Sequence, residues 1–540
     1  MRQSHTKDIG YAIVVAIVGW LLLLPGSNSL ELLRQGDEVM HIASVRESLD
    51  HGAFLIPQLT SMPNAYKPPL LFWMGMLGEL LFGRSLFADR FLVAGMGGGI
   101  AAFLFLMMRL HRRSVGYSLA TVFVFLFSLT AFKFGRLLMM DLPMAFFLTA
   151  VAWLLLRQKL TAPRSNRYVL WAGLLTGVAF LLKGPLFHVY AALLFVSWIA
   201  LRLWSVASLS NDKRFRSVLK LAIRQGIVFA LSSLIVPVLW VIALVAAGKT
   251  GSLWFFFVIE NAGKFSAENQ SSVRIFGGWL LYLLPFTLPV IWIVFRSLKE
   301  KVQNQSTYTA RVFLIAAILI TLLHLLPDRK DAYYVVPVMP LVIAAVALVF
   351  RPDRITIGLV HLQNIILAFV VIVLAFLFLS VFWAVAVTML MVAFLVVSMI
   401  AKKWTWLFVP CVVMLVGQFV LLPKITRPVV TPDALSMIAN QKACVVSRNW
   451  WDVFEIKLYT ASEVLHASPD DIQSCTSQKL PLIVIQEDVQ TPQEYTIAKT
   501  WSHWSIRSVS LPSFSQWKQL SLWKEPFSFD SKLYLPVAEQ

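Results

Sequence analysis

Apolar runs separated by short polar stretches recur along the chain from about residue 9 to residue 422. Most are near the roughly 20 residues that an α-helix needs to cross a bilayer. They predict membrane helices, because a helix pairs every backbone N–H and C=O internally and hydrocarbon offers those groups no other partner. The first run, residues 9–25, has no small-residue cleavage pattern behind it and reads as a retained helix rather than a removed signal peptide. Later spans are expected near 91–108, 116–132, 142–156, 168–182, 186–203, 220–247, 277–295, 311–326, 333–350, 356–379, 382–400 and 404–422, about thirteen in all. Beyond them the pattern is helical near 432–439 and strand-like near 480–485, which predicts a small α/β domain over 423–540. The expected fold class is an all-α polytopic membrane protein over residues 1–422, with a small C-terminal α/β domain.

The basic residues set the threading. Clusters occur at Arg109, Arg112 and Arg113; at Arg157, Lys159, Arg164 and Arg167; and at Lys213, Arg214, Arg216 and Lys220. Arg296, Lys299, Lys301 and Arg311 follow, then Arg351 with Arg354, and Lys402 with Lys403. The positive-inside rule puts each cluster on the cytoplasmic face. With Arg2 and Lys7 also inside, a single crossing must separate the first loop from Arg109. Two runs compete for it, residues 70–82 and 91–108; the first is short and contains Glu79. It reads as a helix lying in the interface, and the second as the span. Every later cluster then falls inside, and an odd number of spans leaves the C-terminal domain on the outer face with the long first loop, residues 26–89.

Composition agrees. Of 540 residues 58% are hydrophobic and 14% charged, and a mean hydropathy of +0.73 excludes a soluble globular domain. A net charge of +19 would point to nucleic acid in a soluble protein; here the loops carry it as a topology signal, so no nucleic-acid partner is expected. Cys411 lies in an apolar span and reads as a packing residue, whereas Cys444 and Cys475 can form a disulfide if their domain lies outside the cytoplasm.

The outer loops gather the candidate chemistry. Asp37 and Glu38 follow the first span. Asp141 stands where a helix starts, two residues before Pro143, as a cap, a cavity carboxylate or both. Lys67 precedes Pro68 and Pro69 at the start of the interfacial helix, where the helix dipole opposes a cation and a bound anion would remove the conflict. Arg329 and Lys330 sit in an outer turn against the inside bias; they suit a phosphate, unless Asp328 and Asp331 neutralise them locally. Glu260, Lys264 and Arg274 share another outer loop, and Lys183 interrupts an apolar stretch where an ionisable group is costly unless paired or wet. Carboxylates among fixed cations suit attack on a phosphate-activated carbon: a carboxylate takes or orients the proton of an alcohol and cations stabilise the departing phosphate. A sugar on a lipid phosphate is such a substrate. No Walker loop, GxGxxG element or zinc-type Cys/His spacing is present.

At these residues the chain resembles a known family. The Asp37-Glu38 pair, Lys67-Pro68-Pro69-Leu70 followed by Leu81-Phe82-Gly83, Asp141, Lys183-Gly184-Pro185, and the Lys330 stretch with Tyr334, Pro337 and Pro340 look like the GT-C membrane glycosyltransferases. Within these they are most similar to the branch of the lipid A aminoarabinose transferase and the protein mannosyltransferases. The resemblance covers about residues 1–350. It implies an integral transferase of the bacterial inner membrane with its active face periplasmic. The implied donor is an undecaprenyl- or other polyprenyl-phosphate sugar, and the acceptor is lipid A, another glycolipid or a protein. Asp37 matches the catalytic carboxylate and Asp141 the second acidic position. Lys67, Lys330 and Tyr334 match donor-phosphate contacts, and 260–265 the acidic-then-basic segment of an outer loop, with Lys264 where arginine is common. Met40-His41 replaces an Arg-Tyr pair and Tyr66 a glutamate of the aminoarabinose enzymes, so neither the sugar nor a metal ligand carries over. No cofactor is required, and the carboxylates leave room for a divalent metal without demanding one. The alternative from another class is a transporter or flippase of a lipid-linked sugar, which calls for a charged path through the bundle rather than a cluster on one face.

Overall fold

The computed structural model describes residues 2–28, 37–60, 62–158, 166–207, 212–265, 270–400, 408–421, 430–438, 441–448, 452–458, 464–485, 489–490, 492–504 and 528–537. Lys159, Arg164, Lys402 and Lys403 of the basic clusters lie outside these. The chain forms two compact units, one of Met1–Asn28, Ser44–Leu367 and Phe394–Cys411, the other of Ser29–Ala43, Ala368–Ala393 and Val412–Gln540.

The helices run α1 Arg2–Leu23, α2 Glu38–His51, α3 Leu70–Phe82, α4 Leu86–Leu110, α5 Val115–Leu126, α6 Leu129–Phe134, α7 Asp141–Arg157, α8 Arg167–Lys183, α9 Pro185–Ala207, α10 Asp212–Ala246 and α11 Thr250–Trp254. A π-turn, Phe255–Asn261, and a 3-10 turn, Ala262–Phe265, follow. Then come α12 Val273–Tyr282, α13 Thr287–Lys299, α14 Gln305–Leu323, a 3-10 segment Ala332–Val338 leading into α15 Met339–Val349, α16 Arg354–Phe378, α17 Val381–Ile400 and α18 Phe408–Val416. Among the described residues eight helices are long and apolar enough to cross a membrane, or nine if one bent pair is a single span. This is a multi-pass membrane protein. Four of the thirteen expected spans are shorter: α5, α7, α8 and the apolar helix Val409–Leu421.

Two expected spans are broken, and the breaks support each other. The run at 277–295 is α12 and α13, bent by 111° around Pro285, which has no N–H to continue a helix. The run at 116–132 ends as a helix at Leu126 and restarts as α6. At this meeting the Leu129 N–H donates to the Leu284 carbonyl (2.7 Å) and the Thr130 hydroxyl to the Tyr282 carbonyl (2.9 Å). Irregular backbone is tolerated inside an apolar bundle only when its freed polar groups find partners in this way.

Small residues let α1 press against α4. A Cβ on Gly98 would lie 2.2 Å from the Ala16 carbonyl oxygen and 2.8 Å from the Trp20 nitrogen, so the backbones touch where no side chain fits. Helix α3 covers the residues expected of the interfacial helix. Its Glu79, an apparent misfit in an apolar run, is buried against Arg46 (3.0 Å) and Arg84 (3.8 Å), and Arg46 also meets buried Asp89 at 3.6 Å.

The second unit contains a five-stranded sheet of β3 Ala443–Val446, β4 Val464–Ala467, β5 Leu482–Ile485, β6 Tyr495–Trp504 and β7 Ser528–Pro536, in the order β4-β3-β5-β7-β6. A short ribbon of β1 Gln58–Leu59 and β2 Met62–Pro63 belongs to the first unit. Strands β4, β3 and β5 are parallel, whereas β7 pairs antiparallel with β5 and β6. The parallel strand β3 is buried along its length, as its uninterrupted apolar sequence requires. Cys444 on β3 is disulfide-bonded to Cys475. The helix Pro432–Met437 and strand β5 occupy the segments expected to be helical and extended.

The α1–α4 contact has a direct test. Gly98→Ala should cost about 1–3 kcal/mol through overpacking, read as a lower thermal midpoint of the purified protein in detergent. Gly116→Ala, where nothing lies within 4 Å, should leave the midpoint unchanged or higher.

Candidate functional site

The first unit gathers charged side chains where several helices end. Asp141 is the first residue of α7 and Lys183 the last of α8, and they meet at 3.3 Å, Oδ1 to Nζ, with Asp141 fully buried. Asp141 is not the helix cap: Met140 holds that position in a helical conformation, with no side-chain cap bond. The Asp141 carboxylate is instead turned to the lysine, as a buried charge must be. The Lys183 ammonium also lies 5.0 Å from the centre of the Tyr334 ring, within cation–π range. Tyr334 packs on His324 at 4.9 Å, and the buried Tyr190 hydroxyl is hydrogen-bonded to the His324 Nε2.

The chain changes direction at Gly184, whose φ of +65° suits a residue without a side chain. A Cβ there would lie 2.4 Å from Phe256 on the π-turn. Phe256 in turn packs with Phe180, Leu181, Trp240 and Leu244, and with Leu55, Leu70 and Trp73 from the first loop and α3. This apolar cluster brings a second ion pair to the same end of the bundle: Lys67 is bonded to Glu260, which the π-turn carries. The anion that meets the lysine before α3 is therefore a carboxylate of the chain. A narrow cleft opens beside it, bordered by Ile56, Lys67, Trp240, Ser252 and Phe256.

In the turn before Tyr334, Arg329 is paired with an acidic residue of the turn. Asp331 accepts from Arg329 (3.3 Å) and from the Tyr333 hydroxyl (3.2 Å). Lys330 is 4% exposed, and its backbone N–H donates to the Gln270 side chain at 2.9 Å. The Lys264 side chain lies outside the described residues. Asp37 and Glu38 lie on the segment of the second unit. The Asp37 carbonyl accepts from the His41 N–H at 3.0 Å, and Glu38 is buried in the first turn of α2, where the helix dipole favours an anion. Among the described residues no three His, Cys, Asp or Glu side chains gather as a metal site.

Arg136, Tyr190 and His324 carry no assigned role in the sequence reading. Arg136 is fully buried and donates to the carbonyls of Leu22 (3.0 Å), Pro25 (2.7 Å) and Phe132. It thereby closes the C-terminal end of α1 and fixes the segment leading to Asp141. Burial pushes its guanidinium down to about 10, which leaves it charged at neutral pH. A lone arginine in a loop of apolar residues was the available signal, and the rule that such charges need partners points to it.

A bundle of continuous and broken membrane helices with acidic–basic pairs at one end, accompanied by a small α/β unit, is a fold of the GT-C type. Comparison with solved structures agrees: the chain matches the crystal structure of ArnT from Cupriavidus metallidurans bound to undecaprenyl phosphate with a TM-score of 0.64, at 18% identity, over 89% of this chain and 93% of that one. A family model described as dolichyl-phosphate-mannose-protein mannosyltransferase matches residues 66–240. In sequence the chain is 26% identical to an undecaprenyl phosphate-alpha-4-amino-4-deoxy-L-arabinose arabinosyl transferase of Sodalis glossinidius, over 63% of this chain and 58% of that protein. It is also 26% identical to the transferase of the same description from Edwardsiella ictaluri, over 60% of this chain and 56% of the relative. The chain thus spans somewhat more than half the length of these relatives.

The Asp141–Lys183 pair yields a stability prediction. Lys183→Met removes the cation paired with a buried carboxylate and should destabilise the protein by about 3–5 kcal/mol. Adding Asp141→Asn should recover a measurable part of the loss in detergent unfolding; additive losses would show the two charges to be independent.

Proposed function

We propose that the protein is an integral membrane glycosyltransferase that moves a sugar from a polyprenyl-phosphate donor, undecaprenyl phosphate being the carrier class, to a lipid A-like or other periplasmic acceptor. The observation that carries this reading is the buried Asp141–Lys183 pair beneath Tyr334, with Lys67–Glu260 packed through Phe256 to the same end of the bundle. Such an end offers fixed cations for a lipid-linked phosphate and carboxylates for the attacking alcohol. The relatives' descriptions support the reading, since each names an undecaprenyl phosphate-linked aminosugar transferase.

In the proposed mechanism Asp37 is the general base that takes the acceptor's hydroxyl proton as the C–O bond to the sugar forms and the bond to phosphate breaks. Glu38 supports it. Asp141 orients the reacting groups, and Lys67, Lys183, Arg329, Lys330 and Tyr334 bind the donor phosphate, with Glu260 and Lys264 as further donor or substrate contacts. Lys67 and Lys183 each hold a carboxylate, so donor binding exchanges one anion for another rather than desolvating a bare cation. The protein is placed in the bacterial inner membrane with residues 423–540 and the active face periplasmic. The Cys444–Cys475 disulfide supports that side, because structural disulfides persist in oxidising compartments.

Replacing the base tests the reading. Asp37→Asn, folded and expressed as the parent, should lower transfer about 10²- to 10⁴-fold in proteoliposomes supplied with donor and acceptor. Transfer at the parent rate would remove Asp37 from the mechanism.

A further inference from the structure

At the end of α4 the first unit has a polar pocket with an empty volume of about 1190 Å³, bordered by His111, Arg112, Arg113, Ser306, Phe350 and Arg351, with no carboxylate in its lining. It lies where α4 and α15 finish and α14 begins, and the basic-loop rule assigns this end to the cytoplasmic face. One of its cations, Arg113, is held in place by nearby backbone. Arg113 donates to the Leu348 carbonyl at 2.5 Å and stacks on Tyr117, whose hydroxyl donates to the Ala347 carbonyl at 2.5 Å. The nearby carboxylates are engaged by arginines: Asp353 and Glu300 with Arg296, Glu300 also with Arg351 at 4.0 Å, and Asp8 with Arg109 at 2.8 Å. Burial and Arg113 push His111 down to about 4, so this ring adds no charge at neutral pH. The amino end of α14, capped by Asn304, adds the positive end of a helix dipole.

Beside this pocket runs a second one of opposite character. A groove with an empty volume of about 590 Å³ passes between α5, α13, α15 and α16, lined by residues that include Val124, Pro289, Ile293, Val346 and Val360. Phe350 lines both, and Tyr117 and Ala347 of the groove adjoin Arg113 and Leu348 of the pocket. An apolar slot that opens into a cluster of arginines at the level where membrane helices end matches an amphiphile with an anionic head.

We propose that pocket and groove together bind one anionic phospholipid of the membrane, its phosphate headgroup against Arg112, Arg113 and Arg351 and an acyl chain along the groove. The occupant is identified by charge and by the joined apolar slot: a soluble phosphate has no use for the groove, and a zwitterionic lipid brings an ammonium toward three guanidinium groups. The inference does not rest on the proposed transfer, none of whose residues lines the pocket or the groove. The bound lipid would tie α5, α13 and α15 together at this end of the bundle.

Native mass spectrometry of the purified full chain, titrated with phosphatidylglycerol or phosphatidylethanolamine, tests it. The parent should hold phosphatidylglycerol in preference, and Arg112→Gln/Arg351→Gln, at two exposed positions, should weaken that binding roughly thirtyfold. Val124→Trp, which fills the groove, should weaken it as well, with Ala120→Leu as the milder substitute if the tryptophan lowers the thermal midpoint. Inorganic phosphate should not compete. Equal affinity for the two lipids, or unchanged binding by the arginine variant, would overturn the proposal. So would competition by inorganic phosphate together with unchanged binding by the groove variants, which would mark a site for small anions alone.

Discussion

The buried pair of Asp141 and Lys183 is the constraint around which the first unit is organised. An ionised carboxylate with no exposure is stable only beside a cation, and the cation has to come from another helix because its own first turn offers none. The chain meets this demand by ending α8 on Lys183, turning at once through the positive-φ Gly184, and packing that turn on Phe256. Phe256 then links the turn to α10, the π-turn and the first loop, so the Lys67–Glu260 pair is held by the same apolar packing. Arg136, by closing the carbonyl end of α1, fixes the approach to Asp141. Two ion pairs, one arginine clamp and one aromatic cluster thereby place carboxylates and cations together without exposing them singly to hydrocarbon.

Much of this was legible in the sequence, for identifiable reasons. Membrane helices are visible because their apolar runs have to match a bilayer, and α4, α9, α10 and α14 to α17 fall where those runs are. The two breaks were not visible, since the hydrogen bonds from Leu129 to Leu284 and from Thr130 to Tyr282 join residues far apart in the chain. Asp141 stood out at a helix start and Lys183 as an ionisable residue inside an apolar stretch, but nothing in their spacing said that they would meet. The same holds for Lys67: its position before a helix called for an anion, and the fold supplies Glu260 from nearly two hundred residues away. Glu79 pointed to an interfacial helix, whereas its partners Arg46 and Arg84 needed the tertiary structure to appear.

The two ends of the first unit treat their cations differently. At the Asp141 end lysines are matched to carboxylates of the chain, so that neither charge lies alone among apolar helices. At the other end arginines bind helix-terminal carbonyls, as Arg113 does at Leu348 and Arg311 at Ser297 and Glu300. Part of their charge stays open to the pocket lined by Arg112 and Arg351. The same positive charge thus serves as a topology signal and a helix cap, and in the proposed lipid site as a docking surface, according to what the fold places beside it.

The Asp141–Lys183 charges are proposed to serve the transfer chemistry and not only the packing of α7 on α8. The double variant Asp141→Asn/Lys183→Met separates the two, because it removes both charges of the pair together. Reconstituted in liposomes with a polyprenyl-phosphate sugar and an acceptor lipid, and shown by thermal unfolding to be folded, it is predicted to retain no measurable sugar transfer. Transfer near the parent rate by the folded double variant would contradict the account and reduce the pair to a structural device.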